Sequence, residues 1–261
     1  MTFKTDAHTD IGPKKSVNQD ALLIKQAKSK NMGQICMACL CDGMGGLSCG
    51  EVASATLVDR VDGWFNRELP QILAAENNTT QLEDYSCEMD YWGRIELQWN
   101  GLAEEINKKL GEYGSSKGIM LGTTITLLLI MNDKYLVMSI GDSRVYRIEG
   151  ENIEQITHDH SYIQREMDAG RMTPEEALNS KEKSVLLQCV GASKEIKPDF
   201  FRGETKKGVS FLLCSDGLWR KLEGKEMVEN VAKNSGIKEL VNLVKDRGET
   251  DNISGLVVRV D

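Results

Sequence analysis

Five times along this chain an aspartate stands at the end of an apolar, strand-length run with glycine or asparagine close by: Asp20, Asp42, Asp142, Asp216 and Asp251. The sharpest case is Cys39-Leu40-Cys41-Asp42-Gly43-Met44-Gly45-Gly46, where a buried strand stops at an acid and turns through a glycine-rich segment. Side chains would obstruct so tight a turn, so it presents bare backbone next to the acid. A glycine-rich turn before a helix can cradle phosphate, but the lysine and hydroxyl of a P-loop and the glycine spacing of a dinucleotide site are both missing. An acid beside exposed carbonyls offers hard oxygen ligands instead, the kind that Mg2+ or Mn2+ takes.

One acid at a turn needs no explanation beyond turn or capping chemistry. Five of them, each aimed by a buried strand, do. If they converge, the carboxylates repel one another strongly unless cations neutralise them. The pattern therefore predicts a centre of two or more metal ions. A pair of Mg2+ or Mn2+ ions about 4 Å apart activates a bridging water and neutralises phosphoryl oxygens, so phosphoryl hydrolysis is the fitting reaction.

Composition narrows the partners. With 261 residues, 40% of them apolar, the chain has enough material for a sizeable core. A formal net charge of −8 argues against a nucleic-acid or anionic-membrane surface. No apolar stretch approaches the roughly 20 residues of a membrane span. The start Met1-Thr2-Phe3-Lys4-Thr5-Asp6 is too polar for a signal peptide. A cytoplasmic monomer is expected. The cysteines at 36, 39, 41, 49, 87, 189 and 214 are odd in number and mostly sit in apolar runs, so they read as reduced core residues; Cys36-x-x-Cys39 has no second Cys/His pair at zinc spacing.

Periodicity predicts strands over 21–24, 34–41, 123–131, 135–140, 145–148, 209–214 and 253–260, the third and fourth forming a hairpin across Asn132-Asp133. Residues 1–11 are polar and receive no element. A capping box at Ser48-x-x-Glu51 predicts a helix with Val58, Val61, Phe65 and Leu69 on one face. Residues 76–90 read as a surface loop. The spacing of Ile95, Trp99, Leu102, Ile106 and Leu110 predicts a helix ended by Gly111 and Gly114. Thr157-His158-Asp159-His160 invites a metal reading, but Ser161-x-x-Gln164 behind it is a capping box, so the cluster has a structural task. Thr173-Pro174-Glu175-Glu176 opens a second short helix, and a further one carries Ile237, Leu240, Val241 and Val244. Strands in runs and helices in groups argue for antiparallel sheets flanked by helices, an α+β fold.

The series Gly12…Asn18-Gln19-Asp20, Asp42-Gly43-Met44-Gly45-Gly46…Gly50-Glu51-x-Ala53-Ser54, Gly122-Thr123-Thr124, Gly141-Asp142-Ser143-Arg144, Asp159-His160-Ser161, Ser215-Asp216-Gly217-Leu218-Trp219 and Asp251-Asn252-Ile253-Ser254 resembles, in order and over nearly the whole chain, the metal-dependent type 2C protein serine/threonine phosphatases of the PPM family, in their bacterial style. The resemblance implies a four-layer αββα sandwich of two antiparallel sheets, and one catalytic domain over 1–261 with a flap at about 160–190. It implies that Asp42 bridges two Mn2+ or Mg2+ ions, that the Gly43 carbonyl binds one of them and that Asp216 and Asp251 hold the other. Asp20 would act through bound water, and Asp142 with Asp216 would form a third-ion site. Substrates would be phosphoserine and phosphothreonine proteins, among them a Ser/Thr kinase or its targets, hydrolysed by a metal-bridging water.

Three positions depart from the family pattern. Lys15 stands where the family usually places a phosphate-binding arginine, which keeps the charge and loses the bidentate fork. Met44 stands where animal-type members carry a histidine, and Leu47 where bacterial members often do. Two other readings compete with the phosphatase: a catalytically weak scaffold that binds phosphoprotein partners, and a metal-dependent nucleotide hydrolase. The first is disfavoured because all five acids are present, the second because no base or ribose site is recognisable.

Overall fold

The computed structural model describes residues 1–44, 49–75 and 90–261. The fold is organised by the apolar strand β3 (Gly33–Asp42), which buries both of its faces. Successive side chains of a strand point to opposite sides. Ile35, Met37, Cys39 and Cys41 accordingly enter one core, and Cys36, Ala38 and Leu40 enter another. Cys36 and Cys39 thus lie on opposite faces of the sheet and cannot share a metal. A strand apolar on both faces must be covered on both faces, and two layers on each side of one sheet interface satisfy that demand.

β3 lies in a five-stranded antiparallel sheet ordered β2 (Asp20–Ser29), β3, β4 (Ile125–Met131), β5 (Lys134–Ile140), β8 (Asp199–Glu204). The second antiparallel sheet is ordered β1 (Phe3–Asp10), β10 (Ile253–Val260), β9 (Val209–Cys214), β6 (Arg144–Glu149), β7 (Asn152–Gln155). Between the sheets pack Leu40, Leu128, Val137, Val145, Phe211, Leu213, Leu256 and Val258. On the outer face of the first sheet lie α1 (Gly50–Arg67), α2 (Leu69–Ala75) and α3 (Tyr91–Lys117), closed by Leu57, Trp64, Ile95 and Trp99. Trp64 and Trp99 meet edge to face with ring centroids 5.4 Å apart. The outer face of the second sheet carries α6 (Asp216–Trp219), α7 (Gly224–Lys233) and α8 (Ile237–Asp246), whose Leu240, Val241 and Val244 cover Leu212 and Val257. The result is the four-layer αββα sandwich. α4 (Tyr162–Asp168) and α5 (Pro174–Asn179) form an excursion that returns through bridges from Ser161 to Leu186 and from Thr123 to Val190.

Local expectations hold at the caps of this excursion. The Ser161 side chain accepts from the Gln164 amide, and Thr173 and Glu176 make a full capping box with Pro174 in the first turn. Elsewhere the structure corrects the sequence reading. α3 runs through Gly111 and Gly114 and ends only at Gly118 in a left-handed cap. Gly114 is there for close packing, since a Cβ on it would meet the Ile119 carbonyl oxygen at 2.7 Å. α1 starts at Gly50 with Cys49, not Ser48, at the N-cap, and Glu51 accepts from the Gln19 side chain instead of capping. The polar start of the chain is a strand, β1, paired along its whole length with β10. β7 and β8 also form where no element was expected. Ser48, Leu47, Gly45, Gly46, Cys87 and the loop at 76–89 lie outside the described residues. Among the described residues no helix is long and apolar enough to cross a membrane.

Candidate active site

Strand direction brings the five acids to one end of the sandwich. Asp20 opens β2 and pairs directly with Asp42, which closes β3. β5 runs parallel to β3 two strands away, so the Gly141-Asp142-Ser143 turn that leaves it emerges at the same end. In the other sheet Cys214 pairs with both Arg144 and Gly255. The ends of β9, β6 and β10 therefore meet, bringing Asp216, Asp142 and Asp251 together.

The backbone around Asp42 is held on all sides. Its amide donates to Thr124 Oγ1 (3.0 Å), while its carbonyl accepts from the Thr124 amide (2.9 Å) and Thr123 Oγ1 (3.0 Å). Thr124 Oγ1 also bonds Ser143 Oγ at 2.8 Å, which ties the Asp42 turn to the Asp142 turn. Gly43 donates to the Gln19 carbonyl at 3.0 Å. A Cβ on Gly43 would stand 2.4 Å from that oxygen and 2.5 Å from the Gly50 oxygen, so only glycine fits. Asn252 is the clamp between the sheets: its Oδ1 accepts from the Gln19 amide (2.9 Å), and its Nδ2 donates to the Ile11 and Val17 carbonyls (2.8 and 3.1 Å). The 11–19 loop, with Lys15 on it, is thereby pinned over the acids.

These acids are charged against their surroundings. Burial, reinforced by the charges of Asp20, Asp216, Asp142 and Asp251, pushes the Asp42 carboxyl far above the usual carboxylate range. Burial and then Asp216 and Asp251 raise Asp20 to about 7. Burial and then Asp216 raise Asp142 to about 7. Asp216 is raised by burial against the pull of Arg220. Among the described residues neither buried carboxylate oxygen of Asp20 has a hydrogen-bond partner of good geometry, and the Ser254 side chain offsets the burial only in part. A buried carboxylate with two orphaned oxygens facing other acids is a ligand set for a hard cation, so the residues fit Mg2+ or Mn2+. Among the described residues no three such side chains already stand as a closed ligand set.

Two of the chain's own cations hold the edges of the cluster. Lys15 Nζ lies 2.5 Å from Asp251 Oδ1. Arg220 reaches Asp216 Oδ2 at 2.7 Å and Asp142 Oδ2 at 3.2 Å. Behind them Arg144 grips the buried Asp159 through Nε (3.0 Å) and Nη2 (2.8 Å) and stacks on Trp219, whose Nε1 donates to the Asp142 carbonyl (3.0 Å). His160 Nδ1 accepts from the Gly141 amide and from Gln188, so its proton is on Nε2, facing Asp199 at 3.0 Å. Asp159 and His160 thus position the Asp142 turn and are not ligands, as the capping argument predicts. Met44 carries no proton to give. Sequence reasoning missed Arg220, Gln19 and the clamping role of Asn252; the signal available was a basic residue four places after Asp216, the spacing that brings side chains together on a helical turn.

The chain matches the family model described as Protein phosphatase 2C over residues 13–254. It is 29% identical over 259 residues to Protein phosphatase PhpP of Streptococcus pneumoniae, covering 97% of this chain and 96% of that one. Its fold superimposes on the S. agalactiae serine/threonine phosphatase with a TM-score of 0.81 at 27% identity, covering 100% of both chains. The catalytic domain of the serine/threonine protein phosphatase PstP, solved in complex with two manganese ions, gives a TM-score of 0.72 at 25% identity over 99% of both chains. With five acids delivered to one end of an αββα sandwich and these likenesses along its length, the chain belongs to the protein phosphatase 2C family of metal-dependent serine/threonine protein phosphatases.

Proposed function

We propose that residues 1–261 act as one catalytic unit that hydrolyses phosphoserine and phosphothreonine on cytoplasmic proteins at the Asp20–Asp42–Asp142–Asp216–Asp251 cluster. The observation that carries this reading is the pair of buried Asp20 oxygens beside Asp42, unpartnered among the described residues, whose negative charge a bound cation would neutralise. Asp42 and the Gly43 carbonyl, with Asp216 and Asp251, are the ligands we assign to two Mn2+ or Mg2+ ions; Asp20 contributes through water, and Asp142 lies at the Asp216 edge. When bound, such ions supply an activated water and neutralise phosphoryl oxygens in an in-line displacement. The likeness to a phosphatase solved with two manganese ions supports the count.

The chain's own groups do the rest. Lys15 keeps a positive charge at the solvent side of the cluster, its side chain 29% exposed, and attracts the phosphate dianion. A cleft of about 630 Å3 opens beside Asp251 between Trp219, Arg220 and the 160–190 flap, with Ile163, Met167 and Pro174 on its wall. That cleft receives the peptide on either side of the phosphorylated residue. We assign as substrates a Ser/Thr kinase or its targets. Release of phosphate from a panel of phosphothreonine, phosphoserine and phosphotyrosine peptides and ATP, with and without Mn2+, tests the reading. It requires Mn2+-dependent turnover of the first two above the others; preferential ATP hydrolysis refutes it.

A further inference from the structure

Arg220 makes a set of contacts that the phosphatase reaction does not require. It caps the single turn α6 and lies four residues after Asp216. Its guanidinium is largely buried, with the side chain 17% exposed. Nη1 pairs with Asp216 Oδ2 at 2.7 Å and donates to Ser184 Oγ at 3.3 Å. Nη2 donates to Asp142 Oδ2 at 3.2 Å and to the Lys183 carbonyl at 3.0 Å. Four Nη–H donors therefore meet four acceptors: two on the acid cluster and two on the exposed Lys181-Glu182-Lys183-Ser184 turn of the flap. A planar fork alone has this reach; an ammonium has three donors on one point.

The fork lies between two acids that no other Lys or Arg side chain pairs with among the described residues. Lys15 serves Asp251, and the Arg144 guanidinium is committed to Asp159 and Tyr146. Without Arg220, Asp142 and Asp216 would face one another with only a solvent cation to separate them. At the other end, the turn at 181–184 is fixed by the Val185 to Glu182 backbone bond and the Tyr162 to Val185 bond. The Arg220 contacts join it directly to the Asp142–Asp216 edge.

We propose that Arg220 is a positioning residue with two coupled tasks: it is the built-in counter-cation of the Asp142–Asp216 edge, standing where a divalent ion would otherwise bind, and it ties the 181–184 turn of the flap to that edge. The chain therefore holds fewer divalent ions than its five acids suggest, and a cation that wins the edge from Arg220 releases the turn.

This rests on the metal reading above, and the test separates the two. The metal-free protein and its Arg220→Gln and Arg220→Lys variants are compared by equilibrium dialysis against Mn2+ and by limited trypsin digestion at Lys181 and Lys183, with far-UV circular dichroism and melting confirming that each is folded. Arg220→Gln is expected to bind one more Mn2+ per chain than wild type and to be cut at the turn at least about tenfold faster. Arg220→Lys keeps the charge without the fork, and is expected to keep the wild-type ion count while losing the protection. Equal ion counts in wild type and Arg220→Gln, or equal cleavage rates in all three proteins, overturns the inference. Wild type that binds no Mn2+ refutes the metal reading itself, while the cleavage comparison still judges the tie.

Discussion

Replacing Asp20 with asparagine should stabilise the metal-free protein, and the gain should grow with pH. The carboxyl is buried with neither oxygen well partnered among the described residues, and burial, then Asp216 and Asp251, lift it from 3.8 to about 7 against the pull of the Ser254 side chain. Between those two values the folded chain binds a proton that the unfolded chain has released, so stability falls as pH rises through the window and the loss is complete above about 7. At 1.36 kcal/mol per pH unit, Asp20 costs the metal-free fold on the order of 4 kcal/mol at pH 8, where it is ionised, and about 2 kcal/mol at pH 5, where the fold holds it protonated while the unfolded chain has released the proton. An asparagine removes that cost but buries amide donors worth about 1–3 kcal/mol if unpaired. The net is a gain of about 1–3 kcal/mol at pH 8 and a near-neutral exchange at pH 5. For a chain of this length the pH 8 gain corresponds to about 2–10 °C in melting temperature. Thermal melts of EDTA-treated wild type and Asp20→Asn from pH 5 to 8 measure it, and added Mn2+ should reverse the order by stabilising wild type more. If Asp20→Asn lowers the melting temperature equally at both ends of the range, the carboxylate is not held against its charge and the electrostatic argument fails.

Lys15→Met should raise KM for a phosphothreonine peptide about tenfold, the scale of one partly exposed charge-assisted contact, with a smaller change in kcat; steady-state kinetics showing an unchanged KM would contradict the phosphate role. Gly43→Ala should destabilise by about 3 kcal/mol or more, because its Cβ meets two backbone oxygens that cannot swing aside; urea denaturation reads the loss. Trp64→Ala should cost about 3–5 kcal/mol in the same assay, since the ring is fully buried against Trp99 and donates to Gln98 at 2.7 Å; a loss below about 1 kcal/mol would mean the helical layer repacks.

The acids and the strands that aim them were legible because both signals are local: a run apolar on every position and a carboxylate where it stops. Asp20, Asp42, Asp142, Asp216 and Asp251 stand at the element ends assigned to them. β1 was not legible, because it is an edge strand paired only with β10 and most of its side chains stay partly exposed, so Lys4, Thr5, Asp6 and His8 carry no apolar alternation. Gly111 and Gly114 misled for a related reason: glycine ends helices by default, but here the cost of keeping it in α3 is offset by the approach of residues 119 and 191. The start of α1 at Gly50 depends on the Asp42 turn and on Gln19, which no window around Ser48 contains. Arg220 and Asn252 act across contacts separated by tens to hundreds of residues, and their meaning appears only once the two sheets are stacked.

A cation held by Asp42 and its neighbours is what should make this chain a phosphatase. Phosphate release from a phosphothreonine peptide by wild type and Asp42→Asn, each with Mn2+ and with EDTA, tests it most directly. Wild type should turn over with Mn2+ and not in EDTA, and Asp42→Asn should lose at least about a hundredfold even with saturating Mn2+, an effect of about 2.7 kcal/mol on the barrier. Turnover that survives EDTA, or an Asp42→Asn variant as active as wild type, would contradict it.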